Sequence, residues 1–171
     1  GGRFDFGKVG GKYWNYNAGF KWVSPELELN DIGFLRNSDD ITQFVNLEYR
    51  IIKPVMVFRD FSIQIGQFSK HDFGGNHNRL QYDLNTDIRF INNWTLDLGG
   101  GYRPVNYFNS TLRGGPRWRI SKTGWQYFFI GSDSRKEFYF RTGAIISQWK
   151  ENESSLFKIE AELNYQPSNA L

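Results

Sequence analysis

Apolar and polar side chains alternate with period two along much of this chain. Trp14, Tyr16, Ala18, Phe20 and Trp22 fall on one side of an extended backbone, and Asn15, Asn17, Gly19 and Lys21 fall on the other. The same period runs through Leu80 to Phe90, Trp94 to Arg103 and Phe157 to Tyr165. Successive side chains of a strand point to opposite faces, so each stretch predicts a strand with one apolar and one polar face. Less regular strands are expected over Ile41 to Ile52, Val55 to Phe68, Leu112 to Ser121, Trp125 to Gly131 and Glu137 to Trp149, with another at Phe4 and Phe6. This gives about ten strands, and no segment has a helical period.

Several of these stretches run for ten residues or more. Strands of soluble domains have a mode of about 5–6 residues, whereas strands that cross a bilayer at a tilt need about 9–11. The connections point the same way. Gly10-Gly11, Lys53-Pro54, Asn92-Asn93 and Ser121 to Gly124 read as tight turns, and Ser24 to Asp40, Ser69 to Asn78 and Pro104 to Thr111 as longer loops. Short and long connections alternate in transmembrane barrels. Ser132 to Lys136 and Lys150 to Ser155 are intermediate and fit that alternation less well.

The faces carry candidate roles. Trp14, Trp22, Tyr49, Phe90, Trp94, Tyr102, Trp118, Trp125 and Tyr165 lie near strand ends, with aliphatic residues between them. An apolar ring with a polar tip suits a lipid–water interface, so these nine are the expected interface aromatics. The opposite faces carry Asp83, Asp87, Arg89, Arg103, Arg113, Arg117, Arg119, Lys158, Glu160 and Glu162, expected to line a barrel interior and to form cross-strand ion pairs. Alternation alone fits equally a soluble sandwich or barrel that meets water with its charged face. Arg59 falls on the apolar side of its strand, which calls for snorkelling to the interface or for a bulge that resets the register.

Composition sharpens this. The chain has 171 residues, no cysteine, 18% aromatics, net charge +3 and mean hydropathy −0.58. Disulfides and thiolate metal sites are excluded, and intrinsic disorder is disfavoured by the aromatics. Charge this small does not argue for nucleic acid. The polar average beside many aromatics follows from alternation, which cancels the mean while the faces diverge. The chain opens Gly1-Gly2-Arg3-Phe4 and ends in a turn-like Gln166-Pro167-Ser168-Asn169-Ala170-Leu171, so a segment of a longer protein is expected.

Three stretches carry a resemblance: Gly7-Lys8-Val9-Gly10-Gly11-Lys12, then Ser24-Pro25-Glu26-Leu27-Glu28-Leu29-Asn30-Asp31-Ile32-Gly33-Phe34-Leu35, then Leu112-Arg113-Gly114-Gly115-Pro116. They resemble the C-terminal region of the DUF5916 family, outer-membrane proteins of Bacteroidota. The resemblance implies a segment of a large β-barrel, preceded in family members by a carbohydrate-binding-like sandwich domain that this sequence lacks. It transfers no catalytic residue, because the family has no settled activity.

Other clusters read more simply. His71, Asp72 and His77 share a loop without metal-ligand spacing. Asn30, Asp31, Asp39 and Asp40 suit turns as well as calcium. Arg113, Arg117 and Arg119 alternate with Trp118, which separates ring from cations and leaves an anion-attracting or ion-pairing wall. The glycine pairs precede no helix, so they are not phosphate loops; in a sheet they allow bends and close packing of large neighbours.

The reading is an all-β, antiparallel up-and-down transmembrane barrel segment over 1–171, of about ten strands and part of a larger barrel. Its expected function is a bacterial outer-membrane scaffold or conduit, with membrane lipid, lipopolysaccharide and other outer-membrane proteins as partners. No nucleic acid, metal or cofactor is expected, and enzymatic activity is left open with a non-enzyme favoured. The alternatives are a soluble barrel or sandwich holding an apolar ligand, and a barrel hydrolase using the loop histidines.

Overall fold

The computed structural model describes residues 1–25, 38–108 and 116–167. Ten strands are present: β1 (Gly2–Lys8), β2 (Trp14–Val23), β3 (Asp40–Ile51), β4 (Phe58–His71), β5 (His77–Phe90), β6 (Thr95–Phe108), β7 (Trp118–Arg119), β8 (Thr123–Gly131), β9 (Phe138–Trp149) and β10 (Ser154–Tyr165). No helix occurs among the described residues. All pairings are antiparallel, and the chain meanders through one sheet in the order β1-β2-β3-β4-β5-β6-β8-β9-β10.

β7 departs from the expectation of a full strand over Leu112 to Ser121. Among the described residues of that stretch, 116–121, only Trp118 and Arg119 are strand, paired with Phe108 and Tyr107 at the end of β6, while β8 takes the lateral place beside β6. Among the described residues the wall therefore has nine strands. With β7 removed from it, the 132–137 connection joins 9–13, 52–57 and 91–94 at one end of the sheet. The 150–153 turn joins 24–39, 72–76 and 109–122 at the other. The two connections that suited alternation poorly thus take their places at opposite ends. The expected Ser69 to Asn78 loop shrinks to 72–76, because β4 runs on to His71 and β5 starts at His77.

Turn chemistry fixes the first end. Asn93 takes a left-handed φ of 63°, its N–H donates to Phe90 O (2.9 Å), and Trp94 N–H donates to Asn92 Oδ1 (3.2 Å). Asparagine tolerates this conformation. At the start of β4 the register shifts between Phe58 and Asp60, which makes Arg59 the extra residue of a bulge. Its guanidinium bonds Asn93 Oδ1. The bulge, one of the two options the sequence left, resets the register.

The sheet is a single layer and has little core. Val23 and Phe129 are the buried hydrophobics among the described residues. Accessible surface totals 12088 Å² for a chain of 20.1 kDa, against about 8,700 Å² for a compact monomer of that mass. A sheet with one apolar face must cover it with something. The sheet is also open, since β1 pairs only with β2 and β10 only with β9.

Candidate functional site: the two faces of the sheet

Direct cross-strand partners share a face, so the register assigns every side chain. One line across the sheet reads Trp14–Tyr49–Ile63–Thr86–Leu98–Phe128–Ala144–Ile159. It defines an apolar face, and that face is open: Leu84 is 50% exposed, Phe128 48% and Ile159 67%. Between Tyr82, Leu84, Tyr102, Phe128, Ile146 and Phe157 lies a hollow of about 980 Å³, floored by Gly100 and Ala144.

Aromatic rings edge this face at the tight-turn end. Trp14 meets Tyr49 (4.8 Å between centroids), Tyr49 meets Phe61 (6.2 Å), Phe61 meets Phe58 (5.7 Å) and Phe58 meets Phe90 (5.8 Å). Further on, Trp94 meets Phe140 edge-on at 5.5 Å, and Tyr165 stands opposite Phe138. A second set stands eight residues away along the same strands: Trp22 from Trp14, Tyr82 from Phe90, Tyr102 from Trp94 and Phe157 from Tyr165. The apolar band is therefore nine residues long on each of these strands, about 26 Å at ~3.3 Å per residue.

The rows do not run perpendicular to the strands. Straight across from Trp14 the register reaches Ile159 on β10, yet the aromatic there is Tyr165, six residues along. Six residues are about 20 Å, and the seven strand spacings between β2 and β10 about 34 Å. Both rows are thus inclined at roughly 30°.

Seven of the nine expected interface aromatics lie on this face: Trp14, Trp22, Tyr49, Phe90, Trp94, Tyr102 and Tyr165. Two do not. Trp125 stands opposite Gly101, which stands opposite Asp83, so Trp125 is on the charged face. Trp118 belongs to β7, outside the wall. Sequence reading missed Phe58, Phe61, Phe138 and Phe140, because only the register shows that they complete the row.

The other face carries Asp83, Asp87, Arg89, Arg103, Lys158, Glu160 and Glu162. Arg113 lies outside the described residues. Arg117 and Arg119 flank the wall at its loop end: Arg117 Nη1 donates to Asn78 Oδ1 (3.2 Å), and Arg119 Nη2 is 2.8 Å from Glu151 Oε1. Ion pairs on the face link Arg141 to Asp97 (2.9 Å), Arg89 to Asp60 (3.7 Å) and Lys158 to Glu160 (2.5 Å). Asp97, Asp60 and Arg141 were not foreseen. All of these pairs are partly exposed, and such pairs contribute about 0–1 kcal/mol each.

Aromatics on the charged face are parked over glycines. A Cβ on Gly101 would lie 2.3 Å from the Trp125 ring, one on Gly99 2.4 Å from Tyr127, and one on Gly143 2.3 Å from Phe129. Arginines cover two of these rings from above: Arg103 over Trp125 at 5.3 Å and Arg141 over Phe129 at 4.2 Å. Tyr127 Oη donates to Asn85 Oδ1 at 2.8 Å.

The histidines come together. Their rings stack at 4.2 Å and 8°, and Ser69 Oγ lies 3.4 Å from His71 Nδ1 and 3.2 Å from His77 Nε2. Burial and the neighbouring His71 push the His77 imidazole below its usual range. A hydroxyl against an imidazole is how a nucleophile is activated. Ser69, however, is only 2% exposed, so the trio ties the ends of β4 and β5 together. No group of three or more His, Cys, Asp or Glu that could hold a metal occurs among the described residues. Asn30 and Asp31 lie outside them. Asp39 Oδ1 accepts from Phe73 N–H (2.7 Å), and Asp40 pairs with Lys70 (2.7 Å).

These features define a class: an open, antiparallel, single-layer sheet with an exposed apolar face banded by aromatics. The sequence profile of DUF5916, a domain of unknown function, matches residues 2–171, and the chain belongs to that family. No curated protein and no solved structure matches it significantly.

Proposed function

We propose that this chain is part of the wall of a transmembrane β-barrel in a bacterial outer membrane, with the apolar face toward lipid and lipopolysaccharide and the charged face toward the barrel interior. The observation that carries this is the pair of parallel aromatic rows. Outer-membrane barrels have an apolar band about 25 Å tall between two aromatic girdles, with strands tilted by about 35–45°. A nine-residue band inclined at roughly 30° is about 23 Å tall, close to that height at a slope slightly below that range. In this reading the hollow around Leu84 and Gly100 is filled by lipid chains, and the protein serves as a scaffold or conduit. Other outer-membrane proteins are candidate partners.

The competing reading, a soluble barrel with an apolar ligand in that hollow, makes the opposite prediction at Leu84. In a bilayer, Leu84→Arg places a charge in the middle of the band and costs about 2–4 kcal/mol, while Tyr82→Arg at the row costs about 0–1. Unfolding of both variants from lipid vesicles measures the difference. A purified chain that stays monodisperse without detergent, with the two variants equally stable in buffer, overturns the proposal.

A further inference from the structure

The strongest basic feature of the charged face is built from residues far apart in sequence. At the loop end one lateral line reads Arg3–Lys21–Thr42–Lys70–Arg79–Asn106, across six strands. Arg3 stands directly opposite Lys21, and Lys70 directly opposite Arg79. Like charges directly opposite one another destabilise a sheet, and here Asp5 on Arg3 and Asp40 on Lys70 offset that cost in each pair.

The line is neutralised only in part, and the carboxylate nearest to Arg79 and Arg103 is that of Asp83. Arg3 bonds Asp5, and Lys70 bonds Asp40. Among the described residues, neither Arg79 nor Arg103, which stands two residues further into the face, has a carboxylate oxygen within 4.0 Å. Both instead converge on one neutral oxygen. Gln81 Oε1 accepts from Arg79 Nη2 (2.7 Å) and from Arg103 Nε (3.0 Å) and Nη2 (2.7 Å). The amide cannot turn away, because its Nε2 donates to both oxygens of Asp83 at 2.9 Å. Phe68 and Trp125 hold the two guanidinium planes at 5.5 and 5.3 Å from their ring centroids. Arg79 Nε is buried and has no hydrogen-bond partner.

We infer that this strip is an anion-binding site for a phosphate-bearing, water-soluble solute, with Arg79 and Arg103 as its fork. Two guanidinium groups fixed by rings and a shared amide can each offer paired N–H donors to phosphate oxygens. Lys21 supplies a further positive charge on the same line, and an Arg/Lys array on a pore wall attracts anions. The strip is a property of the charged face and stands whether that face lines a barrel or meets bulk water.

Calorimetric titration of the folded chain in uncharged detergent with inorganic pyrophosphate tests it. Binding that weakens with salt is expected, falling at least about tenfold in Arg79→Gln/Arg103→Gln. Arg103→Lys, which keeps the charge but loses the fork, should bind between the two. Lys158→Gln removes a cation elsewhere on the same face and should bind as the parent does. Three results overturn the inference: no binding at millimolar pyrophosphate, an equal loss in Lys158→Gln, or Arg79/Arg103-dependent binding of an anionic phospholipid in mixed micelles but not of pyrophosphate.

Discussion

Glycines decide the packing of the charged face, and they do so one at a time. Gly101 on the charged face and Gly124 on the apolar face, opposite Tyr102, lie within strands of the same sheet and have opposite surroundings. A methyl group on Gly101 meets the Trp125 ring at 2.3 Å and the Tyr82 carbonyl oxygen at 2.6 Å, whereas the nearest atom to one on Gly124 is 3.9 Å away. Gly101→Ala should therefore cost about 1–3 kcal/mol through overpacking. Gly124→Ala should be neutral or stabilise by up to about 1 kcal/mol, since alanine restricts the unfolded chain. Denaturant unfolding followed by tryptophan fluorescence separates the two; equal effects would mean that Trp125 does not rest on Gly101. Sequence shows the Gly99-Gly100-Gly101 run and its use in close packing. It does not show which ring comes to rest there, because Trp125 and Tyr127 are some 25 positions downstream and are brought alongside only by the pairing of β6 with β8. The same limit misplaces Trp125: aromatic character suggests the apolar face, and cross-strand pairing with a glycine provides for it on the other.

Between strands, the 72–76 turn has a pH dependence of its own. Asp72 is 6% exposed, and its Oδ1 accepts from Asn76 N–H (2.8 Å) while Oδ2 accepts from the Asn78 amide (3.3 Å). Burial pushes this carboxyl up, but the Asn76 backbone and side-chain donors, the Asn78 amide and the nearby Arg117 outweigh it and hold it below the ordinary carboxylate range. A depressed value means that the ionised carboxylate stabilises the folded turn. That contribution is complete above the unfolded value near 4 and is lost as pH falls through the lower folded one. The protection of the Asn76 amide, its exchange rate measured against that of an unstructured amide at the same pH, should fall on acidification through that window. In Asp72→Asn that protection should already be low at neutral pH and flat across the range; a parent profile as flat as the variant's would refute the assignment. Elements were otherwise legible where alternation is long. The strands β2, β5 and β10 follow their apolar residues closely, whereas β6 runs on to Phe108, into the Pro104 to Thr111 stretch expected as a loop. The segment around Trp118 was not, because a four-residue alternation of Arg117, Trp118, Arg119 and Ile120 is met as well by two residues laid against the end of β6 as by a strand crossing the sheet.

Nine wall strands have a consequence for closure of the whole sheet. In an up-and-down meander of odd number the first and last strands run the same way, so β1 and β10 are parallel to one another. Bacterial single-chain barrels have even numbers of strands and are antiparallel throughout. An antiparallel seam between β1 and β10 is thus geometrically closed to this wall, and a barrel that contains it needs an odd number of additional strands. The edges match that requirement: β10 is exposed at every residue except Glu160, and β1 at every residue except Gly2. Unpaired edges present free N–H and C=O groups that recruit other strands. Within each edge strand, alternate amides point away from the neighbour and have no ladder partner. In the isolated chain, refolded in detergent, those outward amides of β1 and β10 should exchange with deuterium orders of magnitude faster than the amides of β5, which is bonded on both sides by β4 and β6. Protection of the outward amides that is independent of chain concentration would mean that the nine strands close on themselves through a parallel seam. In that case the expectation of a larger barrel would be wrong.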